Sequence, residues 1–131
     1  MQSRPQAWLK QANNDLKLAQ LARNNSFLAQ ACFFASQAAK KALNGALLEL
    51  GQEPPHTHAL NELVNALAVH GLTVNQLEAL PLRSLSRMAI SSRYPLDATP
   101  PMDLFDGAET DQAINTAADV INLLQAMDEQ V

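Results

Sequence analysis

Gln37, Lys40, Lys41 and Asn44 form a narrow polar strip in an otherwise apolar stretch, and their spacing makes them one patch. Gln37 and Lys41 stand one helical turn apart, as do Lys40 and Asn44. Two neighbouring ammonium groups suit an anion, and lysine meets phosphate as a point charge. A second group follows a late helix, where Arg93 and Tyr94 precede Pro95. The Arg93 guanidinium is a planar fork for phosphate oxygens, or a cation at the negative end of the helix before it. Tyr94 pins the following loop with its hydroxyl on a backbone partner, or stacks on a base. The third group is His56 and His58, separated by Thr57. Two imidazoles without a third ligand fall short of a zinc site, so no metal is expected. His58 then reads as a first-turn helix residue bonded to a neighbour, and His70 as a partner of a helix C-terminus. For the lysines the plain alternative is a solvated helix face.

The stretch that must position the lysines runs from Phe27 to Leu50, closed by Gly51 and stopped by Pro54-Pro55. Apolar residues recur at Phe27, Ala31, Phe34, Ala35, Ala38, Ala42, Ala46 and Leu50, a single helical stripe. A second row of Cys32, Phe33, Ala39, Leu43 and Leu47 widens the buried surface almost to the whole circumference. A helix apolar on most sides sits in the middle of a bundle, and its alanines let neighbours approach closely. The polar strip is then a solvent edge or the floor of a site.

The surrounding helices are punctuated by local signals. Ser3 and Gln6 have capping-box spacing with Pro5 in the first turn, which predicts a first helix to about Arg23. Its inward face is Trp8, Leu9, Ala12, Leu16, Ala19 and Ala22. Asn24-Asn25-Ser26 is a short turn with an N-cap candidate, so the first two helices form an antiparallel hairpin. Thr57 is a cap candidate for a third helix from about His58 to His70, ended by Gly71. Thr73 and Gln76 repeat the capping-box spacing before a fourth helix, which Pro81 interrupts or restarts and which runs to about Ser92. Arg93 to Gly107 carries three prolines and no helical stripe, and loops of that length are more often functional than accidental. Asp106 and Glu109 are cap candidates for a last helix along Ala113, Ile114, Ala117, Ile121, Leu124 and Met127. The expected fold is all-α: a five-helix up-and-down bundle, the fourth helix kinked, with one long ordered loop before the last helix. In it Gln37, Lys40 and Lys41 are expected to face Arg93 and Tyr94 across a small basic cleft. Three cations converging without carboxylates would repel one another unless they met an anion.

Composition sets the outer bounds. At 131 residues and 14.2 kDa the chain suits one domain over its whole length. A domain of that size buries roughly two-thirds of its unfolded surface. A net charge of -4 offers no global attraction to nucleic acid. The single cysteine, Cys32, excludes an internal disulfide, fits a reducing compartment and reads as core. Met1 is followed by polar residues and Arg4 instead of a signal-peptide pattern, and no apolar run approaches membrane-spanning length. A cytoplasmic protein without a membrane segment is expected.

Three signatures occur in order across the chain. They are Gln37-Ala38-Ala39-Lys40-Lys41-Ala42-Leu43 after an aromatic-alanine run, Thr57-His58-Ala59-Leu60, and Arg93-Tyr94-Pro95. Together they resemble the HEPN domain family, the small helical nucleotide-binding domain of prokaryotes and higher eukaryotes. One departure is Lys40, where the family pattern has an acidic residue before the motif lysine; it makes the patch more basic. The resemblance implies a bundle of this size, usually a homodimer, often encoded beside a minimal nucleotidyltransferase in a toxin–antitoxin-like pair. It implies a nucleotide or RNA ligand, with Gln37, Lys40, Lys41, His58, Arg93 and Tyr94 as the binding residues.

Some members of that family are metal-independent ribonucleases, marked by an Arg followed about a turn and a half later by a His. Here no histidine follows Arg83, Arg87 or Arg93. A phenol, titrating at about 10, is a poor base for a 2′-OH proton. No catalytic residue is therefore assigned. The expectation is a non-catalytic module, without cofactor, that acts with a nucleotidyltransferase-type partner. The alternative is a structural homodimerisation module built on the alanine-rich faces.

Overall fold

Ser3 and Gln6 open the fold with the reciprocal bonds that their spacing predicts. The Gln6 N–H donates to Ser3 Oγ at 3.3 Å, and the Ser3 N–H donates to Gln6 Oε1 at 3.1 Å. In the computed structural model, which describes residues 3–129 and side chains through 127, this box starts α1, Arg4–Asn24. There follow α2 (Leu28–Glu49), α3 (Leu60–Val69), the single turn α4 (Asn75–Glu78), α5 (Leu82–Ser91), a 3-10 turn (Pro101–Asp103) and α6 (Gly107–Glu129). The described residues contain no strand, so the all-helical bundle is as expected. Pro81 accounts for the sixth helix. Without an N–H it cannot continue the α4 ladder, and it instead occupies the N-cap of α5.

Three helix ends share one geometry, in which a left-handed residue lets two N–H groups reach back to the last carbonyls. At α2, Gly51 (φ 79°) donates to Leu48 O and Gln52 to Leu47 O, both at 2.9 Å. At α3, Gly71 (φ 98°) and Leu72 donate to Ala68 O and Leu67 O at 3.1 Å. At α1 the left-handed residue is Ser26, at φ 65°, with Phe27 donating to Ala22 O at 2.8 Å. Ser26 therefore ends α1 and does not cap α2, whose N-cap Phe27 offers no side-chain bond. A side chain in that conformation costs about 1 kcal/mol that glycine avoids. Ser26→Gly is expected to raise stability by about 0.5–1 kcal/mol, read as a higher urea midpoint at unchanged slope.

Two other expected caps are absent. Thr73 and Gln76 make no capping box; Val74 holds the N-cap of α4 without a side-chain bond. Helix α3 starts at Leu60, two residues later than His58, because its first donor is met from another helix. Ser86 Oγ of α5 accepts the Leu60 N–H at 2.9 Å and donates to Leu82 O at 2.8 Å. Thr57 Oγ1 accepts only the Ala59 N–H, at 3.1 Å, in the preceding turn. Ser86→Ala should lower stability by about 1 kcal/mol, the usual value of a lost cap, in thermal or urea unfolding.

The core is organised around α2, which packs against α1, α3, α5 and α6. Twelve of its 22 residues are buried, six of them alanines. The closest approach to α1 is at Gly45, where a Cβ would lie 3.1 Å from Trp8 Cβ and 3.2 Å from the Pro5 carbonyl. Cys32 is core, as expected: its thiol donates to Thr110 Oγ1 at 3.5 Å, and Thr110 donates to Asp106 O at 2.8 Å. Burial pushes the Cys32 thiol above its usual range, which keeps it protonated and unreactive. Asp106 caps α6, its Oδ1 accepting the Glu109 N–H at 2.7 Å. Phe105 beside it is buried and seats the long loop, and the 3-10 turn packs on α2.

Candidate functional site

Lys41 does not join a cluster of free cations. Its Nζ lies 2.7 Å from Asp15 Oδ2 of α1, and Gln11 Nε2 donates to Asp15 Oδ1 at 3.1 Å. Asp15 is only 3% exposed, so this carboxylate depends on Lys41 for its countercharge. Three expected cations without carboxylates become two, because the α1–α2 hairpin brings Asp15 to the edge of the strip. Asp15 was legible in part: it falls in the buried stripe of α1 between Ala12 and Ala19, where a charge demands a partner.

Lys40, one position earlier, points to the loop before α3. Its Nζ lies 3.4 Å from His58 Nδ1. An ammonium has only N–H groups to donate, so in this contact Nδ1 is the accepting nitrogen. The late start of α3 leaves His58 in the loop, outside the helix, and there it meets Lys40. His56 stands two residues away, and among the described residues no three His, Cys, Asp or Glu side chains gather as a metal group.

Arg93 docks at the other end of the strip, on a residue that the apolar pattern assigns to the core. Its guanidinium carbon is 4.8 Å from the centroid of the Phe33 ring and 5.3 Å from that of Tyr94. Its Nε donates to Ala89 O at 2.8 Å, one of the carbonyls at the negative end of α5. The helix-end role considered for Arg93 is thus observed: the inner edge of the fork is spent on the helix, while the ion pairs among the described residues do not include it. Tyr94 is 57% exposed and does not pin the loop; Phe105 does. Phe33 was missed because its spacing with Leu43 and Leu47 matches a core row, yet it is only half-buried.

Phe33 and Lys40 are seven residues apart on α2, so they share a face two turns and about 10 Å apart. Gln37, half-buried, lies between them by register. The structure therefore draws the expected cleft out into a strip: Arg93 and Tyr94 on Phe33, then Gln37, then Lys40 with His58. Lys41 is turned aside to α1. Such a strip offers a guanidinium beside two rings, an exposed phenol and an ammonium–imidazole pair. It suits an extended anion that carries an aromatic group.

The HEPN domain family matches residues 5–127, nearly the full length. The chain belongs to the HEPN domain family. Similar solved structures agree with that. TT1696 of Thermus thermophilus is 29% identical with a TM-score of 0.79, covering 95% of this chain and 98% of that one. An HEPN domain protein of Thermotoga maritima is 20% identical with a TM-score of 0.69, covering 95% and 99%. An archaeal HEPN homologue is 24% identical with a TM-score of 0.70, covering 96% and 98%. The last two show the fold alone. No curated protein matches the chain. Among the described residues of this HEPN chain, no helix is long and apolar enough to cross a membrane.

Proposed function

We propose that this HEPN chain is a non-catalytic module that holds a nucleotide or RNA segment along α2 and works, as a homodimer, with a nucleotidyltransferase-type partner. The observation that carries this reading is Arg93, bonded to Ala89 O and close to the rings of Phe33 and Tyr94, with no carboxylate partner among the described residues. A guanidinium so held keeps its outer nitrogens for phosphate oxygens and loses little freedom on binding. Lys40 with His58 supplies a second contact about 10 Å along the helix. A single phosphate cannot reach both, so the ligand must be extended, with a base for the exposed face of Tyr94. Non-catalysis rests on the absence of a histidine after Arg93. The nucleotidyltransferase partner and the toxin–antitoxin-like pairing rest on membership of the family.

The test is calorimetric titration of nucleotides and short RNA into wild type and into a Lys40→Ala, Arg93→Ala double variant. Lys41 is left intact because its loss would disturb the fold. Wild type should bind, the double variant should bind at least about tenfold more weakly, and neither should cleave RNA. Equal binding by both proteins would end the proposal.

A second reading, a structural dimerisation module, is favoured by one observation. Tyr94, Leu96, Met102 and Leu104 of the long loop are 57%, 70%, 74% and 43% exposed. Exposed apolar groups in one loop suit a protein contact. Sedimentation separates the two: dimerisation that survives the double variant, with no nucleotide or RNA bound by wild type, leaves only the structural role.

A further inference from the structure

The end of α2 remote from Phe33 borders a cleft that the phosphate reading leaves unused. Where the start of α1, the last turns of α2 and the end of α6 meet, a cavity of about 130 Å³ opens to solvent. Helix α2 lines it with Ala42, Gly45 and Ala46, and Leu9 and Leu124 wall it from α1 and α6. Gly45 cannot grow to fill it, since a Cβ would press on Trp8 and on the Pro5 carbonyl at 3.1 and 3.2 Å. A half-open, largely apolar cleft of this volume has room for a ring of about benzene size, one side of which stays in water. The rim is polar but carries one sign of charge. Glu49 contributes a carboxylate, Gln6 and Gln125 contribute carboxamides, and no lysine or arginine lines the cleft among the described residues. Arg4, adjacent in sequence, is held by Glu53 at 2.7 Å.

We infer that this cleft binds a small amphiphilic amine: an apolar body of about the size of a benzene ring, with a primary ammonium that Glu49 meets at the rim. The body replaces missing contacts between Leu9, Ala46 and Leu124, and the carboxylate selects the sign of the head group. Gly45 lies about 18 Å from Phe33 and about 7.5 Å from Lys40 along the helix axis, and no residue of the phosphate strip lines the cleft. The two do not compete for side chains.

The test uses the full chain, labelled with nitrogen-15 and titrated with 2-phenylethylamine and with 3-phenylpropionate, which matches its ring but reverses the charge. The amine should give saturable amide shifts centred on Gly45, Ala46 and Leu124, and should bind roughly threefold tighter than the acid, the range of a solvent-exposed ion pair. Glu49→Gln should keep the amine in the cleft and erase that preference. Ala46→Phe, which fills the space, should abolish both titrations; Ala46→Leu serves if the larger side chain prevents folding. Arg93→Ala should leave the amine titration unchanged. No saturable shift at millimolar amine, equal binding of amine and acid, or full binding by a folded filled variant would overturn the inference.

Discussion

Replacing Lys41 by methionine is expected to destabilise the protein by about 2–4 kcal/mol. Removing one partner of a buried ion pair strands the other, which costs about 3–5 kcal/mol when both are fully buried. Asp15 is 3% exposed, whereas the Lys41 side chain is 28% exposed, so some water reaches the site and the expected cost lies about 1 kcal/mol below that range. The bond from Gln11 to Asp15 persists and offsets little, because a neutral amide does not replace a cation. The double variant Asp15→Leu, Lys41→Met should return to within about 1 kcal/mol of wild type, since well-packed apolar pairs commonly match a buried ion pair. Urea unfolding of the four proteins in the cycle measures the coupling directly. If Lys41→Met alone were as stable as wild type, the pair would not be what holds α1 to α2 at this level. Lys41 would then return to the phosphate strip as a third cation.

The α1–α2 hairpin shows what the chain makes legible. The capping box at Ser3 and Gln6 is a bond between residues three apart, so reading it needs no knowledge of the fold. The central place of α2 is equally plain, because an apolar pattern on most sides of a helix has one physical solution, a cover of other helices. Even Asp15 and Lys41 were within reach. Residues about equidistant from the turn face each other in a hairpin, as Trp8 faces Gly45, and Asp15 and Lys41 fall within about one helical turn of that register.

What escaped has a common cause. Ser86 caps α3 from 26 residues away, so no local pattern could assign it, and Thr57 looked like the cap instead. Ser26 has the side chain of an N-cap but the backbone of a C-terminal turn; residue type does not report φ. The candidate site depends on the same non-local facts. Gln37 and Lys40 share a face by periodicity alone. Arg93 reaches Phe33 only because α5 and the loop bring it there, and the core-like spacing of Phe33 hid the landing place.

That loop carries the second large effect: Phe105→Ala is expected to destabilise the protein by about 3 kcal/mol. Truncating a buried phenylalanine costs about 3–5 kcal/mol, and the 9% exposure of Phe105 puts it at the low end. The consequences should be wider than a cavity. Leu96, Met102 and Leu104 face solvent at 70%, 74% and 43%, so they offer the loop little anchorage of their own. Phe105 is also the neighbour of Asp106, which caps α6 through the Glu109 N–H and accepts the Thr110 hydroxyl on its carbonyl. Loss of the ring should therefore free the loop and loosen the first turn of α6 together. Native-state amide exchange should accelerate from Leu96 to Thr110 while the middle of α2 keeps its protection. Phe105→Leu, which keeps an apolar plug of smaller shape, should lose only about 1 kcal/mol and leave exchange close to wild type. Arg93 offers a further readout, because its Nε bond belongs to α5 and its ring contacts to Phe33 and Tyr94. The Phe33 contact should survive in Phe105→Ala and the Tyr94 contact should weaken, giving a several-fold loss of nucleotide or RNA affinity rather than its abolition. A Phe105→Ala protein within about 1 kcal/mol of wild type, with the loop as protected as before, would show that the prolines and the 3-10 turn hold the loop without an anchor.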